Sequence, residues 1–150
     1  GGPNAGFNAS ATFILGGQIK KHAPELYMVY PEGNHITASD QYPYLQIGET
    51  KYGKPILDRI IRSDTPHETA MRCALVSLDS TMRSNGSVGP PIELMIYRAG
   101  NVGSSTHMVD DQGNAYLRAL REAWANNLAQ AFENLPPIEL PQPKFRAVET

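Results

Sequence analysis

The sequence is poor in the features that mark several large classes of protein. It contains one cysteine, Cys73, so no disulfide can form within the chain. Its 13 basic and 15 acidic residues give a net charge of −2, far from the basic excess of proteins that bind nucleic acid or anionic membranes. No apolar run approaches the roughly 20 residues that a membrane-spanning helix needs. We therefore expect a protein that binds neither nucleic acid nor membrane.

The sequence also gives no sign of secretion. Its first residues, GGPNAG, have neither the charged nor the apolar region of a signal peptide. The single cysteine favours a reducing compartment, so we expect a cytoplasmic protein. With 150 residues, of which 41% are hydrophobic and 19% charged, the chain resembles an ordinary globular domain with one core.

Patterns that hold metals or nucleotides are absent as well. The four histidines form no HExxH pair and have no cysteine partner; they are His22, His35, His67 and His107. The glycines at 16–17 and 86–89 form neither GxGxxG nor a phosphate-binding loop. Cys73 falls on the apolar stripe of a predicted helix, which favours a structural role. We expect no metal and no cofactor.

What is present is a pattern of strands in the first third of the chain. Runs of β-branched and aromatic residues predict strands at 10–15, 25–30, 35–39 and 44–47. Gly16-Gly17 should break or bulge the first strand. The segment Pro31-Glu32-Gly33-Asn34 has the residues of a tight turn, so it predicts a hairpin between the second and third strands.

Helical periodicity follows and then alternates with two more strands. The spacing predicts helices at about 50–62, from Thr65-Pro66-His67-Glu68 to Met82, and from an Asn114 cap to Pro136-Pro137, with strands at 92–97 and 106–109 between the last two. Thr65 and Glu68 have the spacing of a capping box. The order βββ(β)–α–α–β–β–α indicates an α+β fold. The proline-rich tail 136–150 should be extended and lie on a surface.

Two segments have more polar character than a connector needs. In Gln46–Lys51 a predicted strand enters a helix through Gly48, which leaves unpaired N–H groups able to hold an anion or a peptide carboxylate. Taken alone, the segment is better explained as a plain connector, with Glu49 favourable near the helix dipole. Met82–Gly89 is an elbow with two serines, an asparagine and two glycines, more than a turn requires.

The same segments carry a resemblance to a known family. Tyr44–Arg59 (YLQIGETKYGKPILDR) and Cys73–Asn85 (CALVSLDSTMRSN) are similar to stretches characteristic of Anbu, a bacterial relative of the proteasome. Phe13–Gln18 and Tyr27–Asn34 resemble the same family. The resemblance covers roughly residues 12–140, and several long sequence motifs occur in the same order as in the family.

The resemblance implies the αββα sandwich of Ntn hydrolases, represented here by its C-terminal half. It implies an N-terminal threonine that acts as nucleophile and, through its own amine, as base. The family's threonine, aspartate and lysine lie before the part that this sequence matches. We therefore expect 1–150 to be the C-terminal part of one domain, with 1–9 as a linker, and to be inactive without the missing N-terminal half.

The family's site residues are carried over by motif. In proteasome β-subunits the strand-to-helix motif is Gly-Ser-Gly; here Gly48-Glu49-Thr50 stands in its place, so Glu49 replaces a serine that helps to orient the terminal amine. The elbow motif of proteasome β-subunits, Arg-Asp-x-x-Ser-Gly-Gly, corresponds to Arg83–Gly89, in which Ser84 replaces the aspartate and Ser87 matches the serine. These departures fit Anbu better than a true proteasome subunit. The resemblance implies supporting catalytic roles for Glu49, Ser84 and Ser87, and contacts with a peptide substrate from Gly48 and Asn85.

Two functions stay open from the sequence. The first is a threonine-type peptidase subunit that works among identical subunits in a ring or helical array. The second is a noncatalytic subunit that only shapes such an assembly. The peptidase hypothesis predicts that the loops at 48–50 and 84–87 converge. Without the N-terminal half, apolar residues of the strands should be exposed, namely Phe13, Leu15, Met28, Leu94 and Ile96.

Overall fold

A computed structural model describes residues 10–101, 105–110 and 114–141. Its first unit is an antiparallel sheet of β1 (Phe13–Gly17), β2 (Glu25–Val29) and β3 (His35–Thr37). Phe13 pairs with Val29, and Met28 pairs with both Ile14 and Ile36. The sheet therefore has β2 at its centre.

The turn between β2 and β3 forms as its residues predict. Tyr30 and Asn34 are joined by a backbone hydrogen bond of 2.9 Å, and the Gly33 N–H donates to the Tyr30 carbonyl at 2.9 Å. Gly33 has φ +87°, a conformation that a residue with a side chain adopts only with strain. Gly16 and Gly17 do not break β1 but form its last two residues.

The rest of the fold consists of two helices, a β-hairpin and a third helix, in that order along the chain. They are α1 (Lys54–Ile60), α2 (His67–Ser84), β4 (Ile92–Tyr97), β5 (Ser105–Asp110) and α3 (Ala115–Glu133). β4 and β5 form a separate antiparallel sheet. Gln18 links the two sheets, because its Oε1 accepts hydrogen bonds from the Tyr97 hydroxyl at 2.9 Å and the Gly100 N–H at 2.8 Å. The fold is α+β, as the order of elements predicted.

Three further local predictions are wrong. Residues 44–47 form no strand, because no described strand pairs with them through backbone hydrogen bonds. They lie between Pro43 and Gly48, which has φ +78°. The first helix begins at Lys54 rather than near residue 50, because Pro55 is tolerated only in a first turn. Thr65 caps nothing in α2; its hydroxyl accepts from the Arg62 N–H at 2.7 Å, just beyond the end of α1.

The core lies between α2, β4 and the first half of α3. Leu75, Ile92 and Leu117 form its centre, and no described side chain is completely buried. α1 approaches α2 closely at Gly53, where an added Cβ would lie 2.1 Å from Ser77 Oγ. Glycine is required there because any side chain would occupy the space of that hydroxyl.

The strands leave much of their apolar surface uncovered. Phe13 and Leu15 are 61% and 63% exposed, and Met28, Leu94 and Ile96 are half-buried. None of these five residues is buried, as expected if the missing N-terminal half covers the sheets in the complete protein. No helix among the described residues combines the length and apolar character needed to span a membrane.

Candidate functional site

The loop after Gly48 and the elbow after α2 meet in space. The Asn85 Nδ2 group donates to Glu49 Oε2 at 3.0 Å, across 36 positions of sequence. Asn85 Oδ1 in turn accepts from the Ser87 N–H at 3.0 Å and the Ser87 hydroxyl at 2.7 Å. The predicted convergence of the two loops is confirmed, and Asn85 is the residue that joins them.

Local backbone geometry fixes Asn85. It is the residue at which α2 ends, with an extended conformation (φ −136°, ψ 106°) and its N–H still bonded to the Thr81 carbonyl at 2.8 Å. The Val88 N–H donates to the Asn85 carbonyl at 3.1 Å and closes the turn. A side-chain amide that bonds to the backbone two residues on is a common use of asparagine in turns. The side chain therefore points toward Glu49 from a rigid base.

Glu49 is held from its own side as well. Gly48, with φ +78°, turns the backbone, and Glu49 Oε1 accepts from the Lys51 N–H at 3.0 Å. This bond, followed by the Asn85 amide and the charge of Lys51, lowers the pKa of the Glu49 carboxyl. A carboxylate stabilised in its ionised form is a weak base, but it suits the electrostatic orientation of an ammonium group.

The other two predicted residues stay outside this network. Ser84 is the last residue of α2; it is exposed, and its hydroxyl bonds to nothing in the described part of the chain. Gly48 is also exposed, with no atom within 4 Å of where a Cβ would be. The structure thus brings Glu49, Asn85 and Ser87 together and leaves Ser84 and Gly48 at the edges of the site.

A cleft of about 640 Å³ opens beside the Gly48 loop. Gln46 and Thr50 line it near the loop, and Lys54 and Asp58 line it from α1. Lys54 Nζ lies 2.9 Å from Asp58 Oδ1, and the Tyr44 hydroxyl donates to the same carboxylate. The cleft is therefore mixed in character, with an apolar lining and one ion pair.

The Tyr44 cluster shifts the pKa of each of its groups. Desolvation, and then the bond to Asp58, raise the pKa of the Tyr44 phenol. The hydrogen bond from Tyr44, and then that from Lys54, lower the pKa of the Asp58 carboxyl. The hydrogen bond to Asp58 raises the pKa of Lys54. The i, i+4 spacing of Lys54 and Asp58 was a visible signal in the sequence, whereas nothing local indicated Tyr44 as a partner.

A second group of ion pairs lies near the elbow, in the C-terminal part of α2. The Asp79 carboxylate, whose side chain is only 10% exposed, accepts from Arg121 Nε at 2.9 Å and from Arg83 Nε at 3.3 Å. Arg121 belongs to α3, so Asp79 ties the C-terminal part of α2 to that helix. Sequence reasoning missed Asp79, because its principal partner lies on a different helix.

Groups suited to metal binding or to thiol chemistry are not found at this site. Within the described ranges no three His, Cys, Asp or Glu residues are grouped to hold a metal ion. Cys73 is free and buried, and burial raises the pKa of its thiol, which disfavours the reactive thiolate.

The chain is similar to several solved structures. It shares 45% identity and a TM-score of 0.86 with the helical assembly of the Anbu complex from Pseudomonas aeruginosa, covering 90% of this chain and 56% of that one. With Anbu from Hyphomicrobium sp. strain MC1 it shares 46% identity and a TM-score of 0.83, over 86% of this chain and 56% of that one.

A third solved structure agrees with these two. Anbu from Yersinia bercovieri, described as an ancestral β-subunit, shares 45% identity and a TM-score of 0.81, over 85% of this chain and 58% of that one. No family model matches the chain, and no curated protein matches it. The chain spans somewhat more than half the length of the structures it matches.

Proposed function

Because the chain belongs to the Anbu family, we propose that it is part of a threonine-type peptidase subunit that works within an assembly of identical subunits. Residues 1–150 are the C-terminal part of one proteasome-like domain in the cytoplasm; the predicted linker, 1–9, lies outside the described residues. The segment that supplies the rest of the domain corresponds to the part of the matched structures, somewhat under half, that has no counterpart here.

The proposed complete domain is an αββα sandwich. Two observations support it: the described residues form two separate small sheets, and both carry apolar residues that no described element covers. Strands and helices from the remaining segment would cover those residues. In this proposal that segment also carries the nucleophilic threonine, because the family's threonine lies before the part that this sequence matches.

The single observation that carries the peptidase proposal is the network of Glu49, Asn85 and Ser87. In the proposed reaction the threonine hydroxyl attacks a peptide carbonyl, its proton passes to the threonine amine, and the amine then gives a proton to the departing peptide amine. Water hydrolyses the ester that remains. Glu49 orients the amine by electrostatic attraction to its charged form, and Asn85 keeps Glu49 in position.

The remaining site residues have lesser roles in this proposal. The Ser87 hydroxyl, fixed by Asn85 Oδ1, lies at the same loop and can bond to the amine or to water. The peptide substrate lies across Gly48 and Asn85, and a substrate side chain enters the cleft beside the loop. Ser84, exposed at the end of α2, takes the position of the elbow aspartate of proteasome β-subunits.

Substitutions in the complete protein test the proposal. Glu49→Gln and Asn85→Ala should each lower kcat for hydrolysis of an unstructured protein by on the order of 10²-fold, because the amine loses its orientation. Glu68→Gln is the matched control, an exposed glutamate on α2 that pairs with no described residue other than Arg72. It should leave kcat unchanged. Activity of both site variants equal to the control would overturn the site assignment.

A noncatalytic subunit is the second candidate. It is favoured by Ser84, which stands where proteasome β-subunits have an aspartate and whose hydroxyl makes no hydrogen bond with the described residues. If the complete wild-type protein assembles but hydrolyses no peptide bond in any substrate tried, the noncatalytic function replaces the peptidase proposal.

A further inference from the structure

The elbow after α2 contains a pair of residues with a chemistry of its own. Asn85-Gly86 is the only Asn-Gly pair in the sequence. An asparagine followed by glycine can lose its side-chain amide without an enzyme, because the next backbone nitrogen can attack the side-chain carbonyl carbon. Glycine favours this attack, since it has no Cβ to hinder the approach and leaves the backbone free to rotate. The same asparagine joins the elbow to Glu49.

Gly86 is accessible for such a reaction in the folded protein. It is exposed, and no atom lies within 4 Å of where a Cβ would be. Its N–H makes no hydrogen bond with the described residues. No bond to that nitrogen therefore has to break before it can act as a nucleophile.

The native backbone keeps the two reacting atoms apart until the elbow opens. Asn85 has ψ 106°, which places the Gly86 nitrogen on the side of Cα away from the Asn85 side chain. The peptide between the two residues must therefore rotate. Two hydrogen bonds to Asn85 restrain it, from the Val88 N–H to the carbonyl at 3.1 Å and from the Ser87 N–H to Oδ1 at 3.0 Å. Because Gly86 and Ser87 are exposed, local opening of this loop costs little free energy compared with unfolding.

We propose that Asn85 is a modification site that converts, without an enzyme, to aspartate or isoaspartate. The Gly86 nitrogen attacks Cγ of Asn85, the bond between Cγ and Nδ2 breaks, and the Gly86 proton leaves with the amide as ammonia. Water then opens the succinimide ring that results. Hydrolysis of the new bond at Cγ gives aspartate, and hydrolysis at the main-chain carbonyl gives isoaspartate. The reaction consumes a water molecule, releases ammonia and involves no oxidation.

Either product breaks the network of Glu49, Asn85 and Ser87 at its centre. In aspartate a carboxylate oxygen replaces Nδ2, the donor that lies 3.0 Å from Glu49 Oε2. The Glu49 carboxylate then loses a hydrogen bond and gains a like charge beside it, and both changes disfavour its ionised form. Isoaspartate also lengthens the main chain, which displaces Ser87 from its bonds to Asn85. If the proposed function holds, the modification therefore inactivates the peptidase as the protein ages.

Mass spectrometry of the complete protein tests the site. The experiment incubates wild type, Gly86→Ala and Gly89→Ala in mildly alkaline buffer and measures the conversion of Asn85 from amide to acid, with an unincubated sample as the zero point. Neither glycine has a φ in the left-handed region and both have open space around them, so both variants should fold. Asn85 should convert faster than every other asparagine of 1–150 in wild type and in Gly89→Ala. Gly86→Ala adds the Cβ that hinders attack and should slow the conversion several-fold.

Activity is a separate readout. The kcat of wild type should fall in step with the converted fraction, and Asn85→Asp, made directly, should lower kcat at least as far as Asn85→Ala. If Asn85 converts no faster than the other asparagines, or if Gly86→Ala converts at the wild-type rate, the modification site is wrong whatever the activity. If Asn85 converts while kcat stays constant, the modification stands and the catalytic role given to Asn85 fails.

Discussion

At the scale of single residues, Glu49 shows how a short loop fixes a charge. Two donors, the Lys51 N–H and the Asn85 amide, bind its two carboxylate oxygens. Neither donor is a charged group, yet both favour the ionised form. The result is a carboxylate held in one orientation at an otherwise exposed loop, which is what electrostatic positioning of a cation requires.

The lowered pKa of Glu49 predicts a pH-dependent contribution to stability. Its pKa in the folded protein lies below the ordinary 4.5, so the ionised group stabilises the fold above that value and loses this effect as the pH falls through the lowered pKa. Glu49→Gln lacks the contribution. The difference in unfolding free energy between wild type and variant should therefore be largest near pH 6 and shrink at acid pH.

Urea denaturation of the complete protein at a series of pH values from about 3 to 6 measures this difference. Asn85→Ala, which removes one of the two donors, should give an intermediate pH dependence. A difference that stays constant over the whole range would show that Glu49 has the same pKa in the folded and unfolded states.

The pair Asn85 and Thr65 shows where sequence reasoning succeeds and fails for single residues. The convergence of Asn85 with Glu49 was predicted because a family resemblance supplied the long-range information. The capping role of Thr65 was wrong because a hydroxyl between two helices can serve either one. Its donor, the Arg62 N–H beyond the end of α1, becomes available only once the turn has formed.

At the scale of elements, the contact between α2 and α3 depends on a buried charge. Asp79 is 7% exposed and pairs with Arg121, which is itself largely covered. Asp79→Ala should destabilise the protein by about 2–4 kcal/mol, because it leaves the Arg121 guanidinium without its carboxylate in a partly buried place.

The control pair for this prediction lies on the same helix. Glu68 and Arg72 are both exposed and 3.1 Å apart, so Glu68→Ala should change the unfolding free energy by no more than about 0.5 kcal/mol. Thermal or urea unfolding of the complete protein compares the two. Equal effects of the two substitutions would mean that Asp79 is not the structural link between the helices.

Elements were predictable from sequence where their signals are local. The apolar and aromatic residues of β4 predicted Ile92–Tyr97 with both ends correct, and Asn114 caps α3 by accepting a 2.9 Å hydrogen bond from the Tyr116 N–H, as predicted. The predicted strand at 44–47 failed because strand formation needs a partner, which composition cannot supply. Buried polar residues such as Ser77 were missed because their environment comes from α1, at Gly53.

At the scale of the whole molecule, the uncovered sheets predict that 1–150 alone is an unstable unit. Burial of apolar surface contributes roughly 25 cal/mol per Å², so several hundred Å² left bare forfeits on the order of 10 kcal/mol, as much as a typical domain's stability. Expressed alone, this piece should bind a hydrophobic dye and lack a cooperative thermal transition.

The complete protein under the same conditions is the reference for that experiment. It should bind little dye and unfold with a sharp transition. A single cooperative transition of residues 1–150 alone, without dye binding, would show that they form a complete domain and would remove the main support for the proposed sandwich.

β1 brings the outer edge of its sheet into contact with water. Among the described residues β1 pairs only with β2, so the far side of Phe13–Gly17 offers free backbone donors and acceptors beside exposed apolar side chains. Such an edge recruits any strand that reaches it, and at high concentration the nearest is the same segment of another molecule. During folding, the strand that belongs beside β1 then competes for this edge with the β1 segment of another molecule. In a crowded cell, the yield of working protein depends on which arrives first.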